Sequence, residues 1–267
     1  MNNKLNLKYA VISTTGVCNL SCRHCFRVEN NANYLSIDRF YACIESLKLI
    51  GVTHVNFTGG EPMLCPDIRE IIKISKKNGF TNILSTNGIL LGSLNDDILN
   101  DIHTLCLPLD GHDAMYNDEI RGDGHYEKVS RLIDDYRSND YNFNLKINTL
   151  VTSYNIDSIR RLPSKLESAN TIHLKLFQVS NRGILNYTKK VDSVSDNDFL
   201  NLYHYIIENY PHINVNYLMV NDPSNYVIID SVGEMKYIVD DKYYTVTDFR
   251  SLPFTENSFE QTSLGKK

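Results

Sequence analysis

The 267-residue sequence reads as an α/β protein, a partial (β/α)6 barrel of TIM-like kind with a short C-terminal β-containing extension. Three observations predict this class. Short β-rich runs alternate with helix-period segments, and such alternation demands a parallel sheet with right-handed crossovers. Six βα units follow one another without internal repeat, too few for an eight-stranded barrel. Every unusual short motif falls just after a strand, where parallel barrels carry their ligand-binding loops.

The elements follow in order. "YAVIST" (9–14) is β-rich and runs into a cysteine-bearing loop. "SIDRFYACIESLKLIG" (36–51) is a helix: Ser36 caps it, Ile37, Phe40, Ile44 and Leu47 share one face, and Gly51 closes it. "THVNFTGG" (53–60) is a strand ending in glycines. "PDIREIIKISKKNG" (66–79) is a helix with Pro66 at its start and Gly79 after its end. "FTNILSTNG" (80–88) is a strand and turn, "DDILNDI" (96–102) a short helix and "HTLCLPLDG" (103–111) a strand. Helix 125–138, strand 143–151, a helix over 155–168 that Pro163 threatens to break, and strand 171–179 come next. Helix 195–210 opens at Ser195 or Asp196.

The tail reads differently. "INVNYLMV", "YVIIDSVGEMKYIV" and "KYYTVTDF" are short β segments, with turn signals at Asp222–Pro223 and Val232–Gly233. The expected organisation is a barrel core over 1–190 and a packed helix and β-rich extension over 191–267. The last stretch, "TENSFEQTSLGKK", is polar and expected to be mobile.

Composition narrows the function classes. Charged residues make up 22% and hydrophobic ones 42%, a globular balance. A net charge of −5 leaves no electrostatic footprint for nucleic acid or anionic membrane. The N-terminus lacks the apolar core of a signal peptide, and no apolar run is long enough to span a bilayer. The expected compartment is the cytoplasm, whose reducing poise keeps thiols free for metal.

"GVCNLSCRHCF" places Cys18, Cys22 and Cys25 within eight positions. A disulfide framework suits small secreted domains, not this chain. Structural zinc takes four ligands, and Cys43, Cys65 and Cys106 stand alone, although His24 or His112 offers a fourth. An iron–sulfur cluster on three thiolates leaves one iron free for a substrate or cofactor, which suits chemistry better than scaffolding. Structural thiols remain the third reading.

The loops after the next strands add to this. In "TGGEP" (58–62), Gly59 and Gly60 permit close backbone approach, and Glu61 can accept hydrogen bonds from an amino group. Ser85 and Asn87 in "STNG" offer the donors and acceptors that a ribose needs. Taken singly, the glycines and Asn87–Gly88 are ordinary turn signals. Convergence of the loops at one barrel mouth carries the signal.

In these motifs the chain resembles radical S-adenosylmethionine (radical SAM) enzymes, over residues 9 to about 180. That family's cluster motif has this cysteine spacing, with an aromatic-type residue before the third cysteine, a place His24 takes here. Its second signature is a GGE loop after the second strand, matched by Gly59, Gly60, Glu61 and Pro62. The resemblance implies a partial barrel and one four-iron, four-sulfur (4Fe-4S) cluster on Cys18, Cys22 and Cys25. It implies S-adenosyl-L-methionine (SAM) as cofactor, with Glu61 contacting the methionyl amine and Arg121 available to its carboxylate. Reductive cleavage of SAM then generates a 5′-deoxyadenosyl radical, which abstracts hydrogen from a substrate. An electron donor such as flavodoxin or ferredoxin and a small-molecule substrate are the implied partners; nucleic acid and membrane are not.

The second half resembles viperin-like single-cluster members of the family, which modify nucleotides. By that resemblance Lys146, Asn148 and Lys175, on strands five and six, face a phosphorylated or nucleotide-like substrate. The sequence departs from the pattern at His173, where an arginine is expected, and at Pro108, which cannot donate a hydrogen bond to SAM. The chain has no cysteine after Cys106, so no thiolate-held auxiliary cluster is expected there. A peptide-modifying radical enzyme without auxiliary clusters is the alternative. His112, His125 and His173 are read as structural or solvent-facing.

Overall fold

The computed structural model describes residues 7–25, 27, 29, 31–167, 172–179, 193–220, 222, 226–239 and 242–246. The strands are β1 (Tyr9–Ser13), β2 (His54–Thr58), β3 (Thr81–Ser85), β4 (Thr104–Pro108), β5 (Asn144–Val151), β6 (Ile172–Gln178), β7 (Asn214–Leu218), β8 (Tyr226–Ile229), β9 (Met235–Val239) and β10 (Lys242–Thr245). The α-helices are α1 (Ile37–Leu49), α2 (Ile68–Lys77), α3 (Ala114–Arg121), α4 (His125–Ser138), α5 (Ile156–Ile159) and α6 (Asp196–Asn209). The chain divides into two compact units, one of Met1–Asn19, Arg27–Ser85 and Asp222–Lys267, the other of Leu20–Phe26 and Thr86–Asn221.

In the first unit the strands run in the order β10-β9-β8-β1-β2-β3. Strands β8, β1, β2 and β3 are parallel, and β9 and β10 return antiparallel. The first strand of the tail in this unit pairs directly with β1, Tyr9 opposite Tyr226. Helix α1 forms as expected, with the Ser36 hydroxyl accepting from the Arg39 N–H and Phe40, Cys43, Ile44 and Leu47 buried. Phe40 meets Phe57 of β2 edge to face, centroids 6.0 Å apart. Full burial of such a ring stabilises by about 1.5–3 kcal/mol.

In the second unit β4, β5, β6 and β7 are parallel. Leu145, Ile147 and Val151 of β5 and Leu174 and Leu176 of β6 are fully buried, or nearly so, on alternate positions. Helix α6 adds Phe199, Leu202 and Ile206 to this core.

Two local expectations are corrected and one helix is added. The helix expected over 155–168 is split into α5 and a 3₁₀ turn over Leu162–Lys165, because Pro163 has no N–H for a continuing helix. The short helix near 96–102 is a 3₁₀ turn over Asp97–Asp101, opened by the Asp96 carboxylate accepting from the Ile98 N–H. Helix α3 is an element of its own, capped at Asp113 and ended by Gly122 at φ 111°. Its eight residues carry too short an apolar pattern to stand out in the sequence. The stretch "TENSFEQTSLGKK" lies outside the described residues.

Candidate active site

In the first unit, the chain leaves β1 and runs beside the glycine loop that follows β2. Thr14 N–H donates to Thr58 O (2.8 Å), Gly60 N–H to Thr15 O (2.6 Å) and Glu61 N–H to Val17 O (2.8 Å). This ladder explains the two glycines. A Cβ on Gly60 would lie 2.0 Å from Val17 O, and one on Gly59, whose φ is +138°, 2.5 Å from Thr15 O. Both obstacles are backbone, which has no flexible end to swing aside. The loop thus zips onto the limb that leads to Cys18, a half-buried thiol in no disulfide.

Pro62 opens a 3₁₀ turn over Pro62–Leu64, whose Met63 N–H donates to Glu61 Oε1 (3.0 Å). Glu61 is 1% exposed. Ser85, at the end of β3, donates its hydroxyl to Asn56 Oδ1 (2.8 Å). The sequence reading missed Glu29, a buried carboxylate on the return limb of the cysteine loop. It accepts from Ser13 Oγ (2.5 Å), Asn31 Nδ2 (2.8 Å), and the N–H (3.1 Å) and Oγ (2.6 Å) of Ser231. Ser231 is 202 residues away in sequence, so no local pattern foretells the pairing.

In the second unit, the cysteine segment rests on the C-terminal turn of α3. Arg23 N–H donates to Ile120 O (3.1 Å), and Cys22 Sγ lies 4.0 Å from both the carbonyl oxygen and Nη1 of Arg121. Cys22 is buried and Cys25 half-buried, both free. Asp110, fully buried in the loop after β4, gathers what lies behind them. Its Oδ2 takes Arg121 Nε–H (2.6 Å) and stands 3.3 Å from His24 Nε2, while Oδ1 takes the Leu150 N–H (2.7 Å). Burial alone would raise the Asp110 pKa; Arg121, His24 and the Leu150 N–H together hold it below the ordinary value. Burial opposes the charge on Arg121, yet Asp110 and Cys22 hold it more firmly protonated than usual.

Burial pushes His24 down to about 4 despite Asp110, so the ring is neutral at pH 7. With Asp110 accepting from Nε2–H, the assigned tautomer leaves Nδ1 as an acceptor. That Nδ1 is buried with no partner among the described residues. Asn87, 8% exposed, spends its Oδ1 on the Ile89 N–H (2.9 Å), a local turn bond. His125 is fully buried, with Nδ1 3.0 Å from Asn117 Nδ2. His112 has Nδ1 2.8 Å from Ser158 Oγ and Nε2 3.1 Å from Asp113 Oδ2.

The expected substrate residues share one face of the second unit's sheet. Lys146 stands opposite His173 and Asn148 opposite Lys175, and across β4 they face Cys106 and Pro108. All four of these β5 and β6 residues are half-buried, whereas the opposite face is closed and apolar except for Thr149 and Gln178. Lys175 Nζ lies 4.9 Å over the Phe177 ring. Asn148 Oδ1 is buried without a partner among the described residues. Burial and then Lys146 lower the His173 pKa, so this face carries two cations and a neutral ring.

No three His, Cys, Asp or Glu side chains are grouped as a metal site among the described residues. None of the six cysteines is in a disulfide. An all-thiol donor set is soft and suits iron–sulfur. The orphaned Nδ1 of His24, between the second and third cysteines, fits a bound group that donates a hydrogen bond. Among the described residues no helix is long and apolar enough to cross a membrane.

Residues 12–166 match the family model described as the Radical SAM superfamily. An AdoMet-dependent heme synthase of Nitratidesulfovibrio vulgaris is 29% identical over 169 residues, 61% of this chain and 46% of the relative. An S-adenosylmethionine-dependent nucleotide dehydratase of Selenomonas ruminantium is 25% identical over 236 residues, 83% of this chain and 82% of that one. The chain spans about half the length of the heme synthase relatives. Among solved structures, SuiB of Streptococcus suis bound to its precursor peptide SuiA superposes with TM-score 0.72 at 19% identity, covering 85% of this chain and 58% of SuiB. At that identity the likeness shows the fold, the partial barrel expected from the βα count. With the motif, the fold and the family match in agreement, this chain belongs to the radical SAM superfamily of enzymes.

Proposed function

We propose that this radical SAM enzyme acts on a small phosphorylated or nucleotide-like substrate. The observation that carries the reading is the polar face of β5 and β6, with Lys146 and Lys175 beside the orphaned Asn148 Oδ1. Similarity to a nucleotide dehydratase along 83% of the chain supports it. Cys18, Cys22 and Cys25 hold the single 4Fe-4S cluster. The cluster, when bound, supplies the electron that cleaves SAM to methionine and a 5′-deoxyadenosyl radical, which takes a hydrogen atom from the substrate.

The chain's own residues bind and orient. Glu61 accepts from the methionyl amine, Ser85 and Asn87 face the ribose, and His24 Nδ1 accepts a further hydrogen bond from SAM. Gly59, Gly60 and Pro62 shape the loop that presents Glu61, and Arg121 offers its remaining donors to the SAM carboxylate. Each lysine offsets its desolvation by pairing with phosphate oxygens, and Asn148 accepts from a substrate hydroxyl or amine. A flavodoxin or ferredoxin delivers the electron, in the cytoplasm.

The test uses Lys146→Met and Lys175→Met in the anaerobic holoenzyme, with a panel of nucleosides and their mono-, di- and triphosphates. Both variants should keep iron, sulfide and SAM binding yet lose phosphate-dependent stimulation of 5′-deoxyadenosine release. Parental stimulation in both variants would overturn the reading. Stimulation by short peptides, with none by the phosphorylated panel, would put peptide modification in its place.

A further inference from the structure

We infer that Arg121, held in place by Asp110, is the positive partner of the Cys22 sulfur and sets the reduction potential of the cluster. The inference rests on the cluster assignment to Cys18, Cys22 and Cys25, and goes beyond it.

The local geometry poses an electrostatic problem. The segment carrying Cys22 packs on the last turn of α3, where Ile120 O accepts from Arg23 N–H and Arg121 O lies 4.0 Å from Cys22 Sγ. Helix C-terminal carbonyls carry partial negative charge. Cys22 is 9% exposed, so water does little to screen it. A thiolate there, and still more a cluster that gains an electron, is disfavoured by burial and by those carbonyls.

Arg121 is the cation that answers this. Its Nη1 sits 4.0 Å from Cys22 Sγ, and its side chain is largely withdrawn from solvent. Asp110 fixes it from the other side through Nε at 2.6 Å, and Asp110 is in turn held by the Leu150 N–H and faced by His24. Asp110 does not cancel the effect at sulfur. Its carboxylate binds the Nε edge of the guanidinium, while Nη1 faces the thiol. Hydrogen bonds to cluster sulfurs and nearby charge are the main levers on such potentials. A cation fixed at the sulfur favours the reduced state. Asp110 is a positioning residue here: it touches neither sulfur nor substrate and acts through Arg121.

The test measures the midpoint potential of the reconstituted cluster by mediated titration followed by EPR. SAM is left out, so that any contact of Arg121 with the SAM carboxylate does not enter. Parental protein is compared with Arg121→Met and Arg121→Lys, with iron and sulfide counted per chain. Arg121→Met should keep its cluster but lose at least tenfold in the reduction equilibrium, about 59 mV for one electron. Arg121→Lys, which keeps the charge, should recover part of that loss. If Arg121→Met does not load a cluster, Arg121→Gln replaces it as the neutral variant. A neutral variant at the parental potential would overturn the inference, as would equal shifts in the neutral and lysine variants. Parental protein without iron and sulfide would instead sink the cluster assignment itself, and the inference with it.

Discussion

Gly60→Ala is the sharpest perturbation of the first unit. The added methyl carbon would sit 2.0 Å from Val17 O, 2.5 Å from Val17 C and 2.9 Å from Gly16 O. Contacts below 3.0 Å with backbone force a shift of the chain itself. The glycine loop must lift off the cysteine limb, which breaks Gly60 N–H to Thr15 O and Glu61 N–H to Val17 O. Each buried donor left unpaired costs about 1–3 kcal/mol, so the variant should lose about 2–6 kcal/mol. For a chain of this size that corresponds to a fall in melting temperature of order 10 °C. Gly92→Ala is the control: Gly92 is exposed and nothing lies within 4 Å of its added carbon. It should be neutral or gain about 0.4–1 kcal/mol. Calorimetric melting of both apo variants, with iron content after anaerobic reconstitution, checks the argument. A Gly60→Ala protein that melts with Gly92→Ala and loads a full cluster would refute it, since the ladder would then not hold the two loops together.

Two more predictions concern chemistry and acid. Cys22→Ala should abolish reductive SAM cleavage, measured as 5′-deoxyadenosine, whereas Cys43→Ala and Cys106→Ala should retain it; release by Cys22→Ala at the parental rate would end the cluster assignment. His125 is pushed down to about 4, by burial first and Arg121 second, so the folded protein binds this proton less readily than the unfolded chain. Its stabilising share is full above pH 6.5 and lost as the pH falls toward 4. Urea midpoints of the apo protein at pH 7 and pH 4.5 should therefore differ less in His125→Gln than in the parent; an unchanged difference would show that this ring does not drive the acid response.

The sequence by itself determined the βα order, because local chemistry writes those elements. Ser36 caps α1 through the Arg39 N–H, the apolar period gives α4 its observed limits of 125 and 138, and strict alternation marks β5 and β6. The cysteine spacing and the GGE loop were legible for the same reason: each is a short run whose residue types suffice to name the chemistry. Helix α3 and the break at Pro163 were less legible, since one is brief and the other turns on whether packing keeps a proline-bearing helix intact. What only the tertiary structure decided depends on contacts that sequence distance hides. Gly60 is required by the backbone of Val17, 43 residues earlier in the chain, and not by its own turn. Asp110 reads as half of an ordinary turn until burial shows Arg121, His24 and Leu150 converging on its carboxylate. Glu29 acquires its meaning from Ser231, and the tail from the pairing of β8 with β1. A buried carboxylate needs donors wherever the chain can bring them, and folding supplies those donors from residues that no local pattern connects.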